Sequence, residues 1–269
     1  MRIPFVALGL LGALGCRQIL SIDEGRATLS ADAGRDGDAE PPLEETGAPR
    51  RYCATLDPQP QRCADFDDVA RVTSGFSNTG GSPDPFVTGD SSLAFDTINF
   101  HSGPRGAVMA VGQLLAPSMA SVALVNRFTM PPQRLVYDFW VRIDTEDFRE
   151  KGQVVSLLSV TFPKGEIAIG RGKSGLSLAA FDGAVQDQAQ STQAVAVGTW
   201  RRLSLVLTSS DITMHVDGTL AAKLVRPAAF GGTGITYVGL GVVGAVGNMG
   251  VFRATYDDVS FTSDAPLVD

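Results

Sequence analysis

The stretch from Gly198 to Lys223, GTWRRLSLVLTSSDITMHVDGTLAAK, decides the fold. Leu203, Leu205 and Leu207 point one way, and Ile212, Met214 and Val216 alternate with Thr213, His215 and Asp217. A period of two is the mark of a strand that turns one face to a core. Thr208–Asp211 is a polar turn between the two runs. Asp217-Gly218 is a second, tighter turn, because Asp-Gly tolerates the positive φ angles that a hairpin requires. The stretch therefore predicts a three-stranded antiparallel meander.

The same period extends outward. Arg134–Asp144 is the clearest single strand: Leu135, Tyr137, Phe139, Val141 and Ile143 fill one face, and Val136, Asp138, Trp140 and Arg142 line the other. A first strand is expected over Cys63–Asp68. Shorter β-rich runs bounded by Gly or Pro follow at Ser91–Phe100, Gly106–Val111, Ala120–Phe128, Gln153–Phe162, Glu166–Gly170, Leu176–Phe181, Gln193–Val197, Ile235–Val243 and Gly250–Phe261. No amphipathic run is long enough for a major helix, and no fixed-period repeat is present. Many short strands with regular turn signals give an all-β sandwich or barrel.

Three strings in these strands resemble the laminin-G-like domains of the concanavalin A-like superfamily. They are Thr199-Trp200-Arg201 followed by His215-Val216-Asp217-Gly218, the FWVR string Phe139–Arg142, and YDDVSF at Tyr256–Phe261. The resemblance covers about Cys63–Phe261 and selects, among all-β architectures, an antiparallel two-sheet jelly-roll sandwich. It also implies that an outward sheet face holds carbohydrate.

The chain has 269 residues, 30 glycines, 15 prolines and a net charge of −7. That length supports one β-sandwich domain with a sizeable core. The acidic balance speaks against nucleic acid as a partner, since phosphate binding requires clustered Lys and Arg. Residues 1–15 carry Arg2 and then an apolar run too short for a bilayer span, which requires about 20 residues. This reads as an export signal. Ala13-Leu14-Gly15-Cys16 resembles a bacterial lipobox, with Ala13 where Leu is usual. That resemblance implies lipidation of Cys16, anchoring to membrane through acyl chains, and, with Arg17 next, the outer membrane. Residues 16–50 carry eight acidic residues against four arginines and few large apolar groups. They read as an acidic disordered tether with a reach of about 30 Å. Residues 51–269 form the folded domain. Cys53 and Cys63 remain as an even pair in an exported chain and are expected to form a disulfide.

The candidate chemistry is sparse. Relatives of this fold that hydrolyse glucans carry acidic residues on one strand in a GEIDxxE-like pattern. Here Gly165–Arg171 reads GEIAIGR, with Ala168 in the Asp position and a single carboxylate at Glu166. A retaining glycosidase requires two carboxyl groups about 5–5.5 Å apart. The acidic group Asp144, Glu146, Asp147 and Glu150 could hold a hard cation such as Ca²⁺ or be a solvated loop. His101 and His215 have no nucleophile partner that local sequence identifies. Asp257-Asp258 reads as a metal pair or as acceptors for loop N–H groups. Trp140, flanked on its face by Asp138 and Arg142, has the makings of a sugar platform, with the indole against a ring and polar neighbours on hydroxyls. The expectation from sequence is a non-catalytic, membrane-anchored protein that recognises a glycan or cell-surface polymer. The alternatives are a structural or adhesive envelope protein that binds protein partners, and a glycosidase-like enzyme.

Overall fold

A computed structural model describes residues 52–67, 69–76, 86–115, 118–183, 186–246 and 248–268. The expected export signal, Cys16 and the tether lie outside the described residues. The strands in chain order are β1 (Arg62–Ala64), β2 (Phe86–Thr88), β3 (Ser91–Asp96), β4 (Gly106–Val111), β5 (Met119–Phe128), β6 (Leu135–Glu146), β7 (Val154–Phe162), β8 (Gly165–Gly172), β9 (Gly175–Phe181), β10 (Gln186–Gln190), β11 (Trp200–Leu207), β12 (Asp211–Val216), β13 (Thr219–Val225), β14 (Thr236–Val246) and β15 (Phe252–Ser263). They form two antiparallel sheets of a jelly-roll sandwich. The first runs β13-β12-β11-β6-β15-β4-β3, with β1 added to β15, and the second runs β10-β9-β8-β7-β14-β5-β2. A four-residue helix, α1 (Tyr52–Thr55), precedes them.

The 198–223 meander forms as its alternation dictates. Leu203, Leu205 and Leu207 pair with Val216, Met214 and Ile212, and all six are buried. Asp217 and Gly218 take φ of 51° and 78°, the left-handed geometry of a two-residue hairpin turn. β6 alternates without a break: Leu135, Tyr137, Phe139, Val141 and Ile143 are wholly buried, and the residues between them are not. Between the sheets, Tyr137 stacks on Phe261 at 5.2 Å and meets Phe139 edge-on at 6.3 Å. Each such side chain contributes about 1.5–3 kcal/mol through burial.

Three strand expectations differ from the structure. The run expected over Ser91–Phe100 stops at Asp96, whose carboxylate accepts the N–H groups of Ile98 and Asn99 and turns the chain. The first strand ends at Ala64, because Phe66 takes a φ of 60° and cannot continue a ladder. The segment Gln193–Val197 is not a strand: Val195 is buried and Val197 is 46% exposed. The polar Gln186–Gln190 forms the edge strand instead, because pairing with β9 requires only backbone groups.

Cys53 and Cys63 are bonded, with Cα atoms 5.7 Å apart. Closing a loop of this size contributes about 3 kcal/mol on the chain-entropy account.

Candidate active site

The outer face of the first sheet is built by alternation. The inward set Leu135–Ile143 leaves Asp138, Trp140, Arg142 and Asp144 outward on β6. Register then fixes their neighbours. Across β11, Ser204 lies opposite Asp138, Arg202 opposite Trp140 and Trp200 opposite Arg142. Across β15, Ser260, Asp257 and Thr255 lie opposite the same three positions of β6. Two tryptophans, two arginines and three acids thus share one surface.

β15 carries a bulge within this surface, where the register shifts between Asp257 and Ser260. Asp258 is the extra residue and takes a φ of 49°, a left-handed conformation rare outside glycine. The bulge brings two successive carboxylates to the loop between β3 and β4. Asp257 Oδ2 accepts the N–H groups of His101 and Ser102 at 2.8 and 3.1 Å, and Oδ1 accepts the N–H of Asp258. Asp258 Oδ2 lies 2.7 Å from His101 Nδ1, and its Oδ1 accepts from the Ser102 hydroxyl. The expectation that these two acids bind loop N–H groups therefore describes Asp257. Asp258 does something the sequence did not indicate: it holds an imidazole.

The loop is fastened at both ends as well. Asp96 receives Arg253 at its start. At its end, Arg105 donates to the carbonyls of Asp67 and Val69. Gly103, at a φ of 109°, lies so close to the Asp67 carboxylate that an added Cβ would force that side chain to move. The imidazole of His101 stacks on Trp140, ring centres 3.7 Å apart and planes 15° from parallel, and meets Trp200 edge-on at 5.9 Å. The His101 side chain is 30% exposed, whereas Asp258 is 1% exposed. One ring nitrogen, Nδ1, is thus engaged by a buried carboxylate.

The residues selected from sequence as a sugar platform are placed on this face, but one face of the Trp140 indole is covered by His101. Asp138 accepts from Ser204 and pairs with Arg202 at 3.1 Å. Arg142 donates to Asn99 and pairs with Asp144 at 3.1 Å. Three of the four acids considered for Ca²⁺ are engaged by arginines: Asp144 by Arg142 and Arg253, Glu146 by a two-point pair with Arg171, and Asp147 by Arg149. Among the described residues, no cluster of three or more His, Cys, Asp or Glu side chains is placed to hold a metal. On the second sheet, Glu166 accepts from Ser159 at 2.6 Å.

Burial and the adjacent Asp258 push the Asp257 carboxyl up to about 8. Burial also raises Asp258, against the hydrogen bonds from Ser102 and His101. A carboxyl raised in the fold stabilises it fully below the unfolded value of about 3.9 and loses that contribution as pH climbs to the folded value. The melting temperature is therefore expected to fall between about pH 5 and pH 8 and to level beyond. Thermal melts of the wild type and of Asp257→Asn check this. The variant's curve should be flatter, and a wild-type melting temperature that rises over that interval contradicts the expectation.

No protein-family model matches the sequence, and no curated protein matches it. Solved structures do. The endo-β-1,4-glucuronan lyase of the fungus Trichoderma reesei is 12% identical and superposes with a TM-score of 0.54, over 76% of this chain and 95% of that one. The cellulose-induced protein Cip1 is 15% identical, with a TM-score of 0.49 over 65% and 86%. A family 7 alginate lyase, A1-II′, is 9% identical, with a TM-score of 0.46 over 64% and 84%. The chain is thus similar in fold to a polysaccharide-cleaving enzyme along nearly that enzyme's whole length. This overturns the expectation of a non-catalytic binding protein.

Proposed function

We propose that the chain is a glycan-degrading enzyme that cleaves an acidic, uronate-containing polysaccharide by β-elimination, with His101 as general base. The observation that carries this is the buried Asp258 carboxylate on His101 Nδ1, with the ring laid on Trp140 beside Arg202. A carboxylate on Nδ1 fixes the tautomer that leaves Nε2 able to accept a proton and stabilises the imidazolium that results. In the step, Nε2 takes the proton from the carbon α to the uronate carboxylate. The electron pair left behind becomes a carbon–carbon double bond as the bond to the leaving glycosidic oxygen breaks. That oxygen takes a proton from water. Arg202, with a side chain 45% exposed, is the cation available to the uronate carboxylate, which lowers the cost of charge building next to it.

Hydrolysis by two carboxylates is less well supported. Asp257 and Asp258 are 0% and 1% exposed and spend their oxygens on the loop. Neither can flank a glycosidic bond as that chemistry requires. The fold likeness to a glucuronan lyase supports elimination. The FWVR and VDG strings support a laminin-G-like variant of the fold. The test is incubation of the purified protein with glucuronan and other polyuronates. Product carrying a double bond conjugated to a carboxylate, followed by ultraviolet absorbance, is expected. No such product from any polyuronate overturns the reading.

We also propose that the enzyme is a lipoprotein held on the outer membrane through Cys16, with residues 16–50 as its tether. The Leu14-Gly15-Cys16 string after a short apolar run supports this. Several acyl chains, at about 0.8 kcal/mol per buried CH₂, hold firmly. Cys16→Ser is expected to move the protein into the soluble fraction of cells. Unchanged membrane partition, with no lipid mass on the mature N-terminus, contradicts it.

A further inference from the structure

We propose that the disulfide-closed segment from Tyr52 to Cys63 is a second wall of the candidate active site, and that Tyr52 is the residue through which it meets substrate. This rests on the placement of the site around His101.

The wall follows from connectivity. Tyr52 opens α1, and the next residue is bonded to Cys63 of β1. Cys63 lies directly opposite Ser260 of β15. The bond therefore hangs α1 over β15, and the Tyr52 hydroxyl comes to rest 3.2 Å from Ser260 Oγ. Ser260 is opposite Asp138 on β6 and two residues from Asp258, which holds His101. The phenol thus stands one step along the face from the His101–Trp140 stack, against the Asp138–Arg202–Ser204 group. Burial raises its pKa, and the charges of Arg202, Asp138 and Asp258 all act on it.

Core packing does not explain this position, because none of the four residues of α1 is fully buried and none belongs to the hydrophobic core. A helix of four residues does not hold itself in water either. Two ties locate Tyr52: the disulfide, and the hydrogen bond to Ser260 on the surface where a substrate would lie. A tyrosine held in that way presents an aromatic ring and a hydroxyl to a sugar, the pairing that carbohydrate contacts use. It also narrows the open face to a cleft between α1 on one side and the His101 loop on the other.

The test uses the full chain and two variants. Tyr52→Phe keeps the disulfide and removes one hydroxyl; Cys53→Ala with Cys63→Ala removes the tie and keeps the phenol. Tyrosinate absorbance against pH is read first. Subtracting Tyr52→Phe from the wild type isolates a phenol that ionises above the ordinary value of about 10. In the double cysteine variant that phenol is expected to return to the ordinary value. A phenol that still ionises as high in the double variant as in the wild type overturns the clasp. Kinetics on glucuronan are read second. Both variants are expected to raise KM roughly three- to tenfold, with kcat held within about twofold, as loss of one substrate hydrogen bond implies. An unchanged KM in both overturns the contact. If the wild type cleaves no polyuronate, the enzymatic reading fails, and the titration alone decides whether the disulfide builds this wall.

Discussion

Replacing His101 with alanine is expected to lower turnover on glucuronan by about 10²–10⁴-fold, the range for loss of a positioned general base. The fold should survive the change. His101 sits on a loop, its side chain is partly exposed, and its backbone N–H to Asp257 persists in the variant. The costs are the stack on Trp140, about 1 kcal/mol, and an acceptor bond at Asp258, about 1–3 kcal/mol. Both fall within the 5–15 kcal/mol of a typical domain. Asp258→Asn is the companion. Asparagine tolerates the left-handed φ of 49°, so the bulge persists while the charge on the imidazole is lost. Its turnover should fall between those of the wild type and His101→Ala. Steady-state rates and circular-dichroism melts on the same preparations separate loss of the base from loss of the fold. A folded His101→Ala protein with full activity removes His101 from the mechanism.

What was legible in the sequence was whatever a local period dictates. A strand with Leu135, Tyr137, Phe139, Val141 and Ile143 inward cannot place Trp140 anywhere but on the opposite face, and a one-residue slip would bury all its polar partners. Asp217-Gly218 announced its turn for the same local reason. The disulfide was legible from counting. The proposed catalytic group was not, because His101 and Asp258 are 157 residues apart and meet through the pairing of β15 with β4, of β4 with β3, and a bulge. Register is a tertiary property, and nothing in YDDVSF says that the second Asp is the unpaired residue. Two carboxylates on one strand are a local pattern, whereas the proposed acid–base group combines a loop imidazole with a bulged strand. The polar edge strand Gln186–Gln190 was missed for a related reason, since Ala189 is its one apolar residue and it is held to β9 through its backbone.

Phe139 and Trp140 are adjacent in the chain and on opposite faces of β6, so a pair of alanine substitutions separates fold from site. Phe139 is wholly buried and packs between Tyr137 at 6.3 Å and Tyr256 at 6.0 Å. Emptying that position is expected to cost about 3–5 kcal/mol, transfer and cavity terms together. Trp140 is only partly buried, and its best contact is one face against His101. Trp140→Ala forfeits that stack, worth about 0.5–1.5 kcal/mol, and leaves little cavity, because its site opens to solvent. Its stability loss should therefore be less than half that of Phe139→Ala. Its effect on turnover should be the larger one, tenfold or more, since a small misplacement of a reacting group is costly in rate. Without the indole, Asp258 still holds one ring nitrogen, but the imidazole can swing about that bond. Urea denaturation of both variants and kcat on glucuronan for Trp140→Ala check the pair. Equal destabilisation would make Trp140 a core residue in all but position; undiminished turnover would mean that Asp258 alone aims His101.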